Sequence, residues 1–427
     1  MKYFKKSDTY QSINEDNSSG KLKVYYSNQE LPKTTEFTVF LAGPTYRSEE
    51  NKKTPKSWRS EAVEYLKKKG FTGAVLIPED SSGEFKNEYE DQIEWEEEGL
   101  RIADVILFWI PRDLVKLPGF TTNDEWGYWK GQAPEKLVLG CPKDAEKVRY
   151  QEFYAEKYNI PAFKTLENTL QYVIDKYKEL LKKDKYTFKR TGAERFVPLD
   201  IWNSDTFIEW YKNQEKAGDE LHDANVLWKY YVGPDKNILF LWSMWVKVWI
   251  KAEDRYKDNE IILSRFNLSS VVMYHIDQED MWNSDIVLVK EFRSPVNNGD
   301  IYVYENPGGS SFSSKDPQEI IVKEIKEETG LTVEPYDLEF FGRRQLVSTL
   351  SIHKNALFGL ELSDDDLADI KKSVKGKVFG VTEETERTYV EFKQLKDLFK
   401  DDIVDHAQIG MIMEVIYSKI KDQKIKV

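Results

Sequence analysis

Three carboxylates, Glu324, Glu327 and Glu328, stand at spacing i, i+3, i+4 within Asn306 to Leu331, NPGGSSFSSKDPQEIIVKEIKEETGL. At that spacing they share one helix face. Hard divalent cations take oxygen ligands, keep several waters and complete their shell with substrate phosphates. The face therefore suits Mg²⁺ or Mn²⁺ together with a pyrophosphate. Ile320, Ile321 and Ile325 supply an apolar stripe for packing, and Pro307, Gly308 and Gly309 let the backbone turn sharply before the helix. The competing reading of an EIKEE string is a solvated charge run on a surface helix.

The elements that must position such groups follow from the hydrophobic pattern. Thr38 to Gly43 (TVFLAG), Gly73 to Pro78 (GAVLIP) and Asp104 to Ile110 (DVILFWI) read as buried strands. Helices are predicted from Ser57 as N-cap through Lys69, over Trp95 to Ile102, and from about Leu166 to Leu181. With Leu137 to Leu139 they make an alternating β/α series, the pattern of a parallel sheet covered on both faces. Met1 to Lys33 reads as a polar lead-in, residues 34–182 as a first domain, and 183–195 as a Lys-rich linker. An aromatic-rich extension at 196–250 carries a helix capped by Ser204 or Asp205 and a strand over Ile238 to Ile250. A last domain, 251–427, has strands over Val271 to His275, Ile286 to Phe292 and Ile301 to Glu305, which lead into the Gly-rich loop.

Composition bounds the setting. A chain of 427 residues exceeds one typical core. A net charge of -13 argues against a nucleic-acid footprint, which needs a clustered basic surface. Cys141 is the only cysteine, so no disulfide framework or thiolate zinc site is expected. No early apolar run has signal-peptide form and no stretch is apolar enough to span a bilayer, so a cytoplasmic protein without a membrane partner is expected. His222, His275, His353 and His406 fall in no metal-ligand spacing, and no Walker loop, dinucleotide fingerprint or Ser-His-Asp order is present.

The segment from Gly309 through Leu331 resembles the Nudix box: Gly, five residues, Glu, seven residues, then Arg-Glu-apolar-x-Glu-Glu-x-Gly-apolar. Lys315 stands where the first Glu is expected and Lys323 where the Arg is expected. The resemblance implies an α/β/α sandwich, metal ligands Glu324, Glu327 and Glu328, and a catalytic part for Glu328. VKEFRSP and YENPGG further resemble the ADP-ribose pyrophosphatase type. That type implies a substrate phosphate on Arg293, a metal or loop role for Glu305, and a general base among Glu383, Glu384 and Glu386. Arg293 also has the simpler reading of a surface ion pair with Glu291 or Glu305. The type commonly forms two-fold dimers, so a homodimer is expected.

FLAGPTY, IEWEEEGLRIADVILFWIPRD and PGFTTNDEWGYW, within Glu36 to Lys176, resemble the nucleoside 2-deoxyribosyltransferase-like family, which also contains nucleotide N-glycosidases. The resemblance implies a flavodoxin-like sheet with its ligand beyond the carboxyl ends of the strands. It makes Glu125 the nucleophile and Asp104 a contact to sugar or base, with Gly43, Pro44 and Tyr46 beside the substrate. A carboxylate attacking the anomeric carbon divides glycosidic cleavage into two easier steps. The Asp that base-exchanging members carry six residues before the nucleophile is Gly119 here, which departs from that type of base recognition and favours hydrolysis, or an unfamiliar base, over exchange. The blander reading makes Glu125 an acid in the first turn of a helix and Asp104 a strand-edge acid. Trp109, Trp126 and Trp129 read as packing.

Two functional readings follow, both with a small-molecule nucleotide as substrate. In one, the chain is bifunctional: the first domain cleaves an N-glycosidic bond or transfers a 2-deoxyribosyl group, and the last domain hydrolyses a nucleoside diphosphate linked to another moiety, such as an ADP-ribose-like, NAD-like or modified nucleotide. In the other, a nucleotide-binding first domain regulates the Nudix half.

Overall fold

Buried strands alternating with amphipathic helices build the first half of the chain in the computed structural model, which describes residues 21–46, 56–81, 89–182, 189–234, 237–310, 316–380, 387–400 and 403–423. Two compact units result: 1–199 with 221–224, and 200–220 with 225–427. No helix among the described residues is long and apolar enough to cross a membrane.

Unit 1 is organised by a six-stranded sheet of order β1-β4-β3-β5-β6-β7. Its strands are β1 (Lys23–Tyr26), β3 (Thr38–Ala42), β4 (Ala74–Ile77), β5 (Val105–Trp109), β6 (Leu137–Gly140) and β7 (Ala162–Phe163), every neighbouring pair parallel. The central strands are wholly buried, as the continuous apolar runs require of a sheet covered on both faces. Phe40, Ile106 and Phe108 pack with Trp95 and Leu100 of α2 (Tyr89–Ile102), Trp126 and Trp129 of α3 (Phe120–Gln132) and Ala155 of α4 (Arg149–Lys157). α1 (Trp58–Lys68) and α5 (Leu166–Lys182) pack together and bury Ala62, Leu66, Leu170, Val173 and Ile174. Trp109, Trp126 and Trp129 are buried, in agreement with the packing reading.

Three boundaries differ from the sequence expectation. β1 lies inside the stretch read as a polar lead-in. Parallel pairing to β4 satisfies its backbone, so a half-buried KVYY suffices for an edge strand. α2 starts six residues before Trp95, because Glu90 and Asp91 complement the positive end of the helix. The stretch read as linker contributes β8 (Arg190–Thr191), antiparallel to β2 (Thr34–Thr35), and Arg190 is buried.

In unit 2, α7 (Asp205–Ala217) follows the short α6 (Leu199–Trp202) and starts at Ser204, whose side chain accepts the Phe207 N–H. A three-stranded sheet follows, of order β11-β10-β9, from β9 (Glu220–Val232), β10 (Ile238–Ile250) and β11 (Arg255–Arg265). The main sheet has order β14-β13-β12-β17-β16, from β12 (Leu268–His275), β13 (Asp285–Phe292), β14 (Tyr302–Glu305), β16 (Glu339–Arg344) and β17 (Asn355–Glu361). β15 (Gly308–Gly309) adds to β12 and β18 (Thr388–Gln394) to β13. Only the β12–β17 pair is parallel among the pairs of this sheet. Val272, Tyr274, Ile286 and Leu288 face Met411, Ile412, Val415 and Ile416 of α10 (His406–Gln423). Their alternates Val271, Met273 and Val287 face Ile321 and Ile325 of α8 (Pro317–Thr329) and Leu367 and Ile370 of α9 (Asp364–Ser373). The period-two alternation thus places helices on both faces of a mixed sheet.

Candidate functional site

The turn after β3 begins the unit 1 site. Gly43 has φ +150°, and a Cβ there would stand 2.2 Å from the Trp109 carbonyl oxygen, so only glycine fits where the ends of β3 and β5 meet. Arg59, in the first turn of α1 and 1% exposed, holds this turn. Its Nε donates to the Leu41 carbonyl (2.9 Å), its Nη2 to the Gly43 carbonyl (2.6 Å), and its Nη1 to Thr45 Oγ1 (3.1 Å) and Glu79 Oε1 (2.5 Å). The Ser57 hydroxyl accepts the Arg59 N–H and donates to Glu79 at 3.0 Å. Trp58 Nε1 donates to the Pro44 carbonyl at 3.3 Å. Tyr46 is half-buried at the end of this turn.

Glu125 enters from α3. Gly119, the N-cap, has φ +63°, and a Cβ built on it would lie 3.3 Å from Pro44 Cβ, so the start of α3 abuts the β3 turn. The left-handed conformation explains why glycine occupies this position. Counting from Phe120, Glu125 is the sixth residue of α3 and lies in its second turn, so the helix-dipole reading of this acid fails. Arg112, buried in the loop after β5, donates to Asn123 Oδ1 at 2.5 Å and to the Lys147 carbonyl at 3.0 Å, and Gln151 donates to Asn123 Oδ1 at 2.8 Å. These bonds fix the α3 segment that carries Glu125.

Glu125 is half-buried, next to the fully buried Trp126. No hydrogen bond or ion pair holds it among the described residues. Burial, with the charge of Glu96 added, pushes its pKa up to about 8, while Arg59 acts in the opposite sense. Glu96, on α2, is also raised, mainly by burial, although Gln92 donates to it at 2.8 Å and Arg59 favours its anion. Two half-buried carboxyls, each held above the usual carboxylate range, thus come under the influence of one guanidinium.

Asp104 is not part of this group. It precedes β5, at the amino end of a strand whose carboxyl end meets the turn at Gly43, and it is engaged on both oxygens. Arg190 Nη2 donates to Oδ1 at 2.8 Å and Oδ2 at 2.7 Å, and the Thr38 N–H donates to Oδ2 at 2.8 Å. A substrate contact for Asp104 is therefore replaced by a buried structural ion pair. Glu96 was hidden by its context, since EWEEEG looks like any solvated acidic face. Arg59 had left one sign: a cation in the first turn opposes the helix dipole and calls for a special partner.

In unit 2 the structure brings Glu324 and Glu328 to the Gly-rich turn. Glu328 accepts the Gly308 N–H at 3.0 Å, and a Cβ on Gly309 would collide with Glu324 Oε1 at 2.2 Å. Burial first, then the charges of Glu324, Glu305 and Glu291, raise Glu328 well above the usual carboxylate range. Glu327 instead pairs with Lys323 at 3.1 Å. Arg293 lies 3.0 Å from Glu291 and 3.6 Å from Glu305, the ion-pair arrangement of the simpler reading. Lys315, Glu383, Glu384 and Glu386 lie outside the described residues. Among the described residues no three His, Cys, Asp or Glu side chains already stand as a metal cage. The donor chemistry nevertheless fits a hard cation, since the carboxylates of Glu324 and Glu328 both reach the Gly-rich turn and oxygen is the donor such ions take.

No curated protein sequence matches the chain. Residues 36–145 match the family model described as Nucleoside 2-deoxyribosyltransferase like, so the chain contains a nucleoside 2-deoxyribosyltransferase-like domain at the part of unit 1 that carries Gly43, Arg59, Glu96 and Glu125.

Proposed function

We propose that unit 1 cleaves the N-glycosidic bond of a nucleoside or nucleotide by double displacement, with Glu125 as nucleophile and Glu96 as acid and base. The observation that carries this reading is the Glu125 carboxyl, which no hydrogen bond or ion pair holds among the described residues and which feels the charge of Glu96. The pair holds a proton at neutral pH. Glu96 delivers it to the leaving base as the Glu125 carboxylate bonds to the anomeric carbon and the C–N bond breaks. Water then attacks the anomeric carbon, giving its proton to Glu96, and the sugar–Glu125 bond breaks. Gly119, in place of an acid near the leaving base, supports hydrolysis over base exchange.

For unit 2 the reading is Nudix-type hydrolysis of a phosphoanhydride dependent on Mg²⁺ or Mn²⁺. Glu324 and Glu328, with Glu327 and Glu305, would hold the ion. When bound, it supplies charge neutralisation and activation of water. Arg293, released from Glu291 and Glu305, would meet a diphosphate with its two parallel donors. Dinucleotides and nucleoside diphosphates joined to another group contain both bonds, which unites the two activities in nucleotide salvage or degradation.

One observation favours a second reading, in which unit 1 senses a nucleotide that regulates unit 2. With its pKa near 8, Glu125 is largely neutral at pH 7 and can donate a hydrogen bond to a ligand instead of attacking it. Incubation with a panel of nucleosides, nucleotides and dinucleotides, scoring free base separately from monophosphate, tests these readings. Free base supports glycosidic cleavage. Binding without free base supports the sensor.

A further inference from the structure

Arg59 is the one cation within electrostatic reach of both Glu96 and Glu125 among the described residues, and its own ion-pair partner is a third carboxylate, Glu79. Four of the five guanidinium N–H donors are already engaged. Four bonds go to the Leu41 and Gly43 carbonyls, Thr45 and Glu79, and the face of the group lies 4.7 Å from the Trp58 ring. Such a buried, fully oriented cation is a fixed source of potential. The groups facing Glu125 are Glu96 from α2, Arg59 from α1 and the adjacent Asp124, with Glu79, after β4, acting through Arg59. Three carboxylates therefore compete for one guanidinium. Glu79 has first claim by contact, and it is locked there by Ser57 and Thr45.

We propose that the Arg59–Glu79 pair is a positioning device for the proposed glycosyl site: it ties the Gly43–Thr45 turn down, and the share of Arg59 charge left over by Glu79 decides whether the Glu96–Glu125 pair keeps or releases its proton. This inference rests on the acid/base reading of that pair. It assigns Arg59 and Glu79 to the electrostatics of the site without contact to substrate, and it makes opposite demands on the two residues. Removing the Arg59 charge leaves the carboxyls with no counter-ion, so their proton is held more tightly. Neutralising Glu79 frees the whole Arg59 charge, so the proton is released more easily. A role confined to holding the turn would make both substitutions act alike, because each removes one bond of the same network.

The experiment is an infrared titration of the carboxyl band in the intact protein without substrate, with the Glu125 signal assigned as the band missing in Glu125→Gln. In Arg59→Gln the midpoint should rise by about one pH unit, roughly a tenfold change in the ionised population. In Glu79→Gln, which keeps shape at a half-buried position, the midpoint should fall. Midpoints that move in the same direction, or do not move, overturn the proposal. If Arg59→Gln does not fold, the Glu79→Gln result decides alone: a fall supports the proposal and an unchanged or raised midpoint rejects it. Because no substrate is used, shifts in the stated directions would stand even if no base is released from any nucleotide, which would reject the glycosidase reading alone.

Discussion

Arg190 Nη2 lies 2.7 Å from Asp104 Oδ2 and 2.8 Å from Oδ1, with the two side chains 1% and 4% exposed. This bond ties the strand pair β2–β8 to the amino end of β5, away from the turn that Arg59 holds. Removing one member of a buried ion pair strands the other charge, at a cost of about 3–5 kcal/mol. Asp104→Asn should therefore lower the urea midpoint markedly while leaving the rate of base release per folded molecule unchanged. A selective loss of turnover with normal stability would return Asp104 to the reaction.

The positions of Asp104 and Glu125 illustrate what the sequence made legible. Buried strands such as TVFLA and VILFW are set by local apolar runs, and their ends agree with the sequence reading to within a residue or two. Glu324 and Glu328 were legible because helical spacing alone puts them on one face. Which end of a strand an acid serves depends on what lies across from it. Arg190 is 86 residues from Asp104 in sequence, and no local pattern signals that encounter. Glu96 and Arg59 were missed for the same reason, since their significance arises from their charges acting on Glu125 from helices other than its own.

Stability should depend on pH through Glu125. Its folded-state pKa of about 8 lies above the ordinary carboxylate value, so between the two the folded protein binds more protons than the unfolded chain. Stability contributed by this group is full below the ordinary value and is lost as pH rises through about 8, with a slope approaching about 1.4 kcal/mol per pH unit. Glu125→Gln should remove that slope. Urea unfolding at pH 5, 7 and 9 checks it: the variant should gain on the wild type as pH rises, and parallel curves would contradict the shift.

In unit 2, Glu328→Gln preserves shape and removes ligand charge. Phosphoanhydride hydrolysis should require added Mg²⁺ or Mn²⁺ and should fall on the order of 10²-fold or more in the variant, with little change in unfolding. Hydrolysis that survives both chelation and this substitution would reject the metal reading.

The three-stranded sheet of unit 2 exposes Leu227, Trp228, Tyr230, Tyr256 and Ile261. We expect this apolar surface to be covered by a second copy of the chain, giving a homodimer of twice 50.2 kDa. Sedimentation equilibrium should return that mass, and Trp228→Glu with Tyr230→Glu should halve it. A monomeric wild type at working concentration would rule the dimer out.

The most direct test of glycosidic cleavage at Glu125 is a paired assay of the wild type and Glu125→Ala, measuring free base and nucleoside monophosphate from the same nucleotide panel. The wild type should release base, and the variant should lose base release on the order of 10³-fold or more while keeping phosphoanhydride hydrolysis. A slow substrate should leave a covalent sugar on Glu125, found by peptide mass analysis. Base release that persists in Glu125→Ala, or none from the wild type with any nucleotide offered, would contradict the account.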